Sequence, residues 1–199
     1  MSNIKKAIDI FTRHAGLLKT AQAIKLGVYP STLYRLRDQG VITCLSRGLY
    51  RMTSLPELSD PDLVTIALRV PKAVLCLVSA LSYHNLTTQV PHDINIALPK
   101  STKAPQIKYP PIRTFYYEKA TYEEGIEKHI IDGISVNIYS AEKTVVDCFK
   151  FRNKIGLDIA IEALRLCHEK RKSMPVDFMK FAETARVTSV IMPYLQAIT

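Results

Sequence analysis

At 199 residues, with 47% apolar and 23% charged residues, the chain can bury a core of its own, and no apolar run approaches the roughly 20 residues that span a bilayer. Cys44, Cys76, Cys148 and Cys167 are scattered, which excludes a disulfide framework and a paired-cysteine zinc site. With no secretory signal read at the N-terminus, a reducing cytoplasm is expected. The net charge of +9 is uneven: residues 1–52 hold nine basic and two acidic residues, a net of +7, and the rest of the chain carries only +2, the distribution a contact with phosphate requires.

Residues 3–14 place Ile4, Ala7, Ile8, Ile10 and Phe11 on one helical stripe, with Lys5, Lys6, Asp9 and Arg13 on the other face. Leu17 and Leu18 read as extended, and Thr20 as the cap of a helix over 21–26. Gly27 stops that helix, because a residue without Cβ takes the left-handed conformation at low cost. Pro30 then opens a second helix, where its missing N–H breaks no ladder bond. Leu33 and Leu36 face inward with Val28 and Val41, leaving Tyr34, Arg35 and Asp38 outward. After Gly40 the chain alternates over 41–45, turns at Ser46, Arg47 and Gly48, and returns through Leu49 and Tyr50. Residues 17–51 thus predict a winged helix-turn-helix with a cationic hairpin tip. The expected DNA-facing set is Ser31, Thr32, Tyr34, Arg35 and Arg37 on the helix, and Ser46, Arg47 and Arg51 on the hairpin. Ser31, Thr32 and Arg35 are expected to select bases in the major groove.

Residues 53–60 lose periodicity and read as a linker between a DNA-binding domain at 1–52 and an α+β domain at 61–199. Asp60 looks like the cap of a helix that ends before Pro71. Residues 74–78 fit a buried strand as well as a helix. Strands are expected at 93–99 and 112–117, and Asp132-Gly133 predicts a hairpin between 127–131 and 134–139. The sheet is therefore expected to be mainly antiparallel. Ser140 reads as a helix cap, and further helices are expected over 157–168, 176–184 and 189–198.

Two sets of motifs resemble one family. Thr20-Ala21-Gln22, Gly27-Val28, Leu33-Tyr34-Arg35-Leu36, Gly40-Val41-Ile42 and Arg47-Gly48-Leu49-Tyr50 look like the N-terminal domain of AbiEi-type antitoxins. The runs 78–86, 131–136 and 140–147 are similar to its second domain, departing at Asn85, where relatives usually carry Gly. The resemblance implies a bifunctional antitoxin. Its N-terminal domain would bind double-stranded operator DNA, inverted repeats in its own promoter, and repress its operon. Its second domain would counter a cognate nucleotidyltransferase toxin.

No phosphate loop, nucleophile elbow or zinc spacing is present, so no catalytic residue, metal or cofactor is expected. His84 beside Ser79 and Ser82 reads as a packed histidine. Asp132, Glu142, Lys143 and Asp147 share residue types with a nuclease site, but their order and helical offsets do not fit one. A second basic group, Lys150, Arg152, Lys154, Arg165, Lys170, Arg171 and Lys172, is either a solvated set near helix ends or a surface for an acidic partner or more DNA. The alternatives to an antitoxin are a regulator whose second domain senses a ligand or dimerises, and a nucleic-acid-processing enzyme.

Overall fold

The first helix, α1 (Asn3–Arg13), forms on its predicted stripe: Ala7 and Phe11 are buried, and Ile4, Ile8 and Ile10 pack beside them. The chain continues as β1 (Leu17–Lys19), α2 (Thr20–Lys25), α3 (Pro30–Asp38), β2 (Ile42–Ser46) and β3 (Leu49–Met52) in the computed structural model, which describes residues 3–198. This is a winged helix-turn-helix. The wing has one strand more than a two-stranded ribbon, because the short segment at Leu17–Lys19 pairs antiparallel with β3, Leu18 opposite Tyr50, giving the order β1-β3-β2. Thr20 is not the cap of α2 but its first residue; Lys19 holds the cap position, with no side-chain bond.

The two helices end alike. Gly27 (φ +88°) and Gly40 (φ +70°) are left-handed. Val28 N–H donates to the Ala23 carbonyl at 3.0 Å, and Val41 N–H to that of Leu36 at 2.9 Å, the bond pattern of a glycine-stopped helix. Leu33 and Leu36 are fully inside with Val28, Leu18 and Phe11. Burial of each such leucine stabilises the unit by roughly 1.5–3 kcal/mol.

The helix α4 (Pro61–Arg69) starts where expected: the Asp60 carboxylate accepts from Leu63 N–H at 2.9 Å. The chain divides into two compact units between Thr65 and Ile66, within α4 and past the segment read as a linker. The order then runs β4 (Val74–Leu75), α5 (Leu77–Tyr83), β5 (Ile94–Pro99), β6 (Ile112–Tyr117), α6 (Lys119–Glu123), β7 (Ile126–Ile131) and β8 (Ile134–Tyr139). It closes with α7 (Ala141–Lys150), α8 (Arg152–Ile155), α9 (Leu157–Arg171), α10 (Pro175–Ala185) and α11 (Thr188–Ile198). The ambiguous stretch at 74–78 is both things in turn, a two-residue strand and then the start of a helix.

The second unit is α+β, but its sheet, in the order β6-β5-β4-β8-β7, is mixed rather than mainly antiparallel. β5 runs parallel to β6 and β4 to β8, while β4–β5 and β7–β8 are antiparallel. Asp132 (φ +51°) and Gly133 (φ +77°) make the tight turn between β7 and β8. Asn85 ends α5 in the glycine manner, at φ +58° with Leu86 N–H on the Leu81 carbonyl at 2.8 Å. Asparagine tolerates this conformation, so the departure from Gly costs the motif nothing in geometry. Ser140 caps α7, accepting from Lys143 N–H at 3.3 Å. Apart from Glu142 and Lys150, every residue of α7 is buried, and the helix packs against α5, α9 and α10. No helix among the described residues is long and apolar enough to cross a membrane.

Candidate nucleic-acid interface

Helix α3 has two unlike sides because its sequence alternates at helical spacing. Leu33 and Leu36 fix the inner side, and Ser31, Tyr34, Arg35 and Arg37 are left on the outer one. Tyr34 is 52% exposed, and the Arg37 guanidinium lies 5.4 Å from its ring centroid. Arg37 also holds Asp38, with Nε at 3.0 Å and Nη2 at 2.8 Å from Oδ1, a pair that raises its already high pKa. The pairing cancels Arg37's charge locally, which leaves Arg35 as the exposed cation of α3 that makes no ion pair among the described residues.

Thr32 departs from expectation. It is only 7% exposed, so its side chain sits behind the helix surface and cannot reach a base edge from the outer face. Arg51 is also redirected. Its guanidinium donates to the carbonyls of Leu55 and Pro56, at 3.5 Å for the first, and so anchors the chain leaving the wing rather than the wing tip. Arg47 is exposed at the turn between β2 and β3, with Ser46 half-buried beside it. That turn is tied to the reading helices: Thr20 N–H, at the start of α2, donates to the Gly48 carbonyl at 2.8 Å.

Residues 5–53 match the family described as transcriptional regulator, AbiEi antitoxin. The match covers the winged helix-turn-helix and supports a resemblance of that domain to AbiEi-type regulators. Over the whole length, the chain is similar to the crystal structure of the RV2827C protein from Mycobacterium tuberculosis. It is 13% identical, with a TM-score of 0.67, covering 100% of this chain and 80% of that one, a likeness of fold. No curated protein matches the chain.

In the second unit, the members of the second basic group each make local contacts. Arg152 donates to the Phe149 carbonyl at 2.9 Å, and Lys154 lies 5.7 Å from the Phe151 ring. Lys150 is half-buried, 6.0 Å from the Tyr117 ring, and burial lowers its pKa. On α9, Arg165 faces Glu169 at 3.9 Å and Lys170 donates to the Asn85 carbonyl at 2.8 Å. Arg171 donates to His84 Nδ1 at 3.0 Å, and Lys172 is the left-handed cap of the helix. Most of these cations hold the ends of their own helices or a neighbouring element.

The residues with a nuclease flavour are equally dispersed. Asp132 lies in the hairpin turn and Glu142 accepts from Ser173 Oγ at 2.8 Å. Lys143 and Asp147, by contrast, form an ion pair of 2.5 Å in the core, at 1% and 0% side-chain exposure, with the ammonium 5.2 and 4.9 Å from the rings of Tyr117 and Tyr139. Burial raises the Asp147 pKa against the opposing pull of Lys143. The Tyr117 hydroxyl and Asp147 Oδ2 are buried without a hydrogen-bond partner. Residue order alone does not reveal the burial of this pair, since lysine and aspartate four apart on a helix also suit a solvent-facing pair.

His84 is packed and hydrogen-bonded. Since a guanidinium only donates, Nδ1 is the acceptor for Arg171, and Nε2–H donates to the Tyr139 carbonyl at 2.7 Å. The ring is neutral in this arrangement, and burial lowers its pKa further. Ser79 Oγ accepts from Asn95 N–H at 2.8 Å, so it pins β5 instead of facing the histidine as a nucleophile. Among the described residues no cluster of three or more His, Cys, Asp or Glu is placed to hold a metal ion.

Proposed function

We propose that the chain is a bifunctional antitoxin acting in the cytoplasm. Its winged domain binds operator DNA, inverted repeats in its own promoter, and represses its operon. Its second unit counters a cognate nucleotidyltransferase toxin. The observation that carries the DNA half is the two-sided α3, which buries Leu33 and Leu36 while exposing Ser31, Tyr34 and Arg35 in a domain of a regulator family. Arg35 reads a base edge, Arg47 meets the flanking backbone or minor groove, and Ser31 and Tyr34 set the register. The toxin half rests on the resemblance of residues 78–86, 131–136 and 140–147 to the second domain of AbiEi-type antitoxins.

The test uses the full chain. Co-expressed with the nucleotidyltransferase encoded beside it, the protein restores growth and silences a reporter behind its own promoter. The double variant Arg35→Ala, Arg47→Ala loses silencing and keeps rescue. Silencing that survives this variant sinks the assignment of the DNA-reading residues, and a missing rescue sinks the antitoxin half. One observation favours a second reading, a regulator whose second unit senses a ligand: a cleft of about 490 Å³ whose walls include Lys72, Lys100, Lys119, Glu118, Glu123 and Tyr122. Absence of any nucleotidyltransferase gene beside this one would favour it.

A further inference from the structure

A second cavity, of about 330 Å³, opens in the winged domain at the start of α3, between α1 and the turn that joins α2 to α3. Asn3, Lys6, Gly27, Tyr29 and Thr32 are among its walls, and no carboxylate is among them. Lys6 reaches into it from α1 across the bare backbone of Gly27, where a Cβ would touch the Lys6 ammonium at 3.6 Å. Lys6 forms no ion pair with any described acid.

The start of α3 supplies a second donor. Tyr29, in the cap position, offers no side-chain bond, and Pro30 has no N–H. Thr32 N–H and Leu33 N–H both turn back to the Tyr29 carbonyl, at 2.9 and 3.2 Å, which leaves Ser31 N–H without a described acceptor. Thr32 is more than nine-tenths buried, lines the cavity, and its hydroxyl bonds to no described group. The Lys6 ammonium and the Thr32 hydroxyl therefore line one cavity at the positive end of a nine-residue helix, with no carboxylate among its walls.

We infer that this cavity seats a backbone phosphate of the DNA that α3 reads, held by Lys6 Nζ and Thr32 Oγ1. The inference rests on the DNA-binding reading above and adds to it a contact that carries no sequence information. Thr32, in the wall of the cavity, and Arg35 are about one turn apart on α3, which sets the cavity beside the backbone of a strand whose base meets Arg35. Thr32, displaced from base reading by its burial, becomes a phosphate ligand.

The test measures binding of the full chain to a labelled random-sequence duplex by fluorescence anisotropy over a potassium chloride series. Lys6→Gln lowers the slope of log affinity against log salt by about 0.9, one phosphate contact. Lys5→Gln removes the same charge one residue away, outside the cavity, and lowers it by less than about half as much. Thr32→Val keeps the volume and the net charge and weakens binding roughly five-fold at fixed salt, whereas Thr32→Ser binds as the wild type does. Equal slopes for the two lysine variants, or wild-type affinity in Thr32→Val with its melting temperature unchanged, overturn the inference and leave the DNA-binding reading intact. Failure of the wild-type chain to bind any duplex overturns both.

Discussion

Helices α3 and α7 are nearly the same length and carry similar charges, yet they use them in opposite ways. α3 keeps Arg35 and Arg37 on its outer face and buries only Thr32, Leu33 and Leu36. α7 places Lys143 and Asp147 in the core of the second unit, surrounded by Tyr117, Tyr139, Cys76 and Cys148. A charge held in water costs little to keep and is free to meet a partner. A charge taken into the core is tolerated only through its partner, and each depends on the other. The same residue types therefore stand free for a partner in one helix and form a structural dependency in the other.

Removing one half of the buried pair has the largest effect. Asp147→Ala leaves the Lys143 ammonium buried alone and destabilises the second unit by about 3–5 kcal/mol in urea unfolding, while Lys143→Met with Asp147→Leu recovers most of that loss. A cost under about 1 kcal/mol for the single change would erase the contrast between the two helices. Arg35→Ala has the opposite signature: operator affinity falls by about 1–3 kcal/mol in titration with no fall in melting temperature.

The smallest effect belongs to His84, a charge the fold keeps out. Its pKa in the folded chain lies below the ordinary value of about 6.5, so on acidification the unfolded chain takes up the proton first. The stability it contributes is complete above that value and is lost as pH falls through it toward the folded value. Between about pH 7 and pH 5 the melting temperature of His84→Gln falls less than that of the wild type. Parallel curves for the two proteins would show that His84 is not the titrating group.

Much of this was readable from residue order alone, where a local backbone demand selects the residue. Gly27, Gly40, Asp132-Gly133, Asp60 and Ser140 all stand where a turn, a stop or a cap requires them. What the sequence did not disclose depends on distant neighbours. The parallel pairing of β5 with β6 was hidden because residues 100–111 join them with no helix in between, so the usual sign of a parallel crossover is missing. Two-residue β4 and five-residue α6 are too short for periodicity to register. At the DNA face the exposure of Tyr34 and Arg35 followed from the positions of Leu33 and Leu36. The burial of Thr32 did not, because it depends on how α1 crosses α3.

The bond from Thr20 to Gly48 and the β1–β3 ladder join the wing to the helical body before any duplex arrives. On the DNA-binding reading proposed above, the span between Arg47 and Arg35 then serves as a gauge that a site must come to fit. Base pairs that neither residue touches would then still be scored, through how stiffly they resist having their groove drawn to that width.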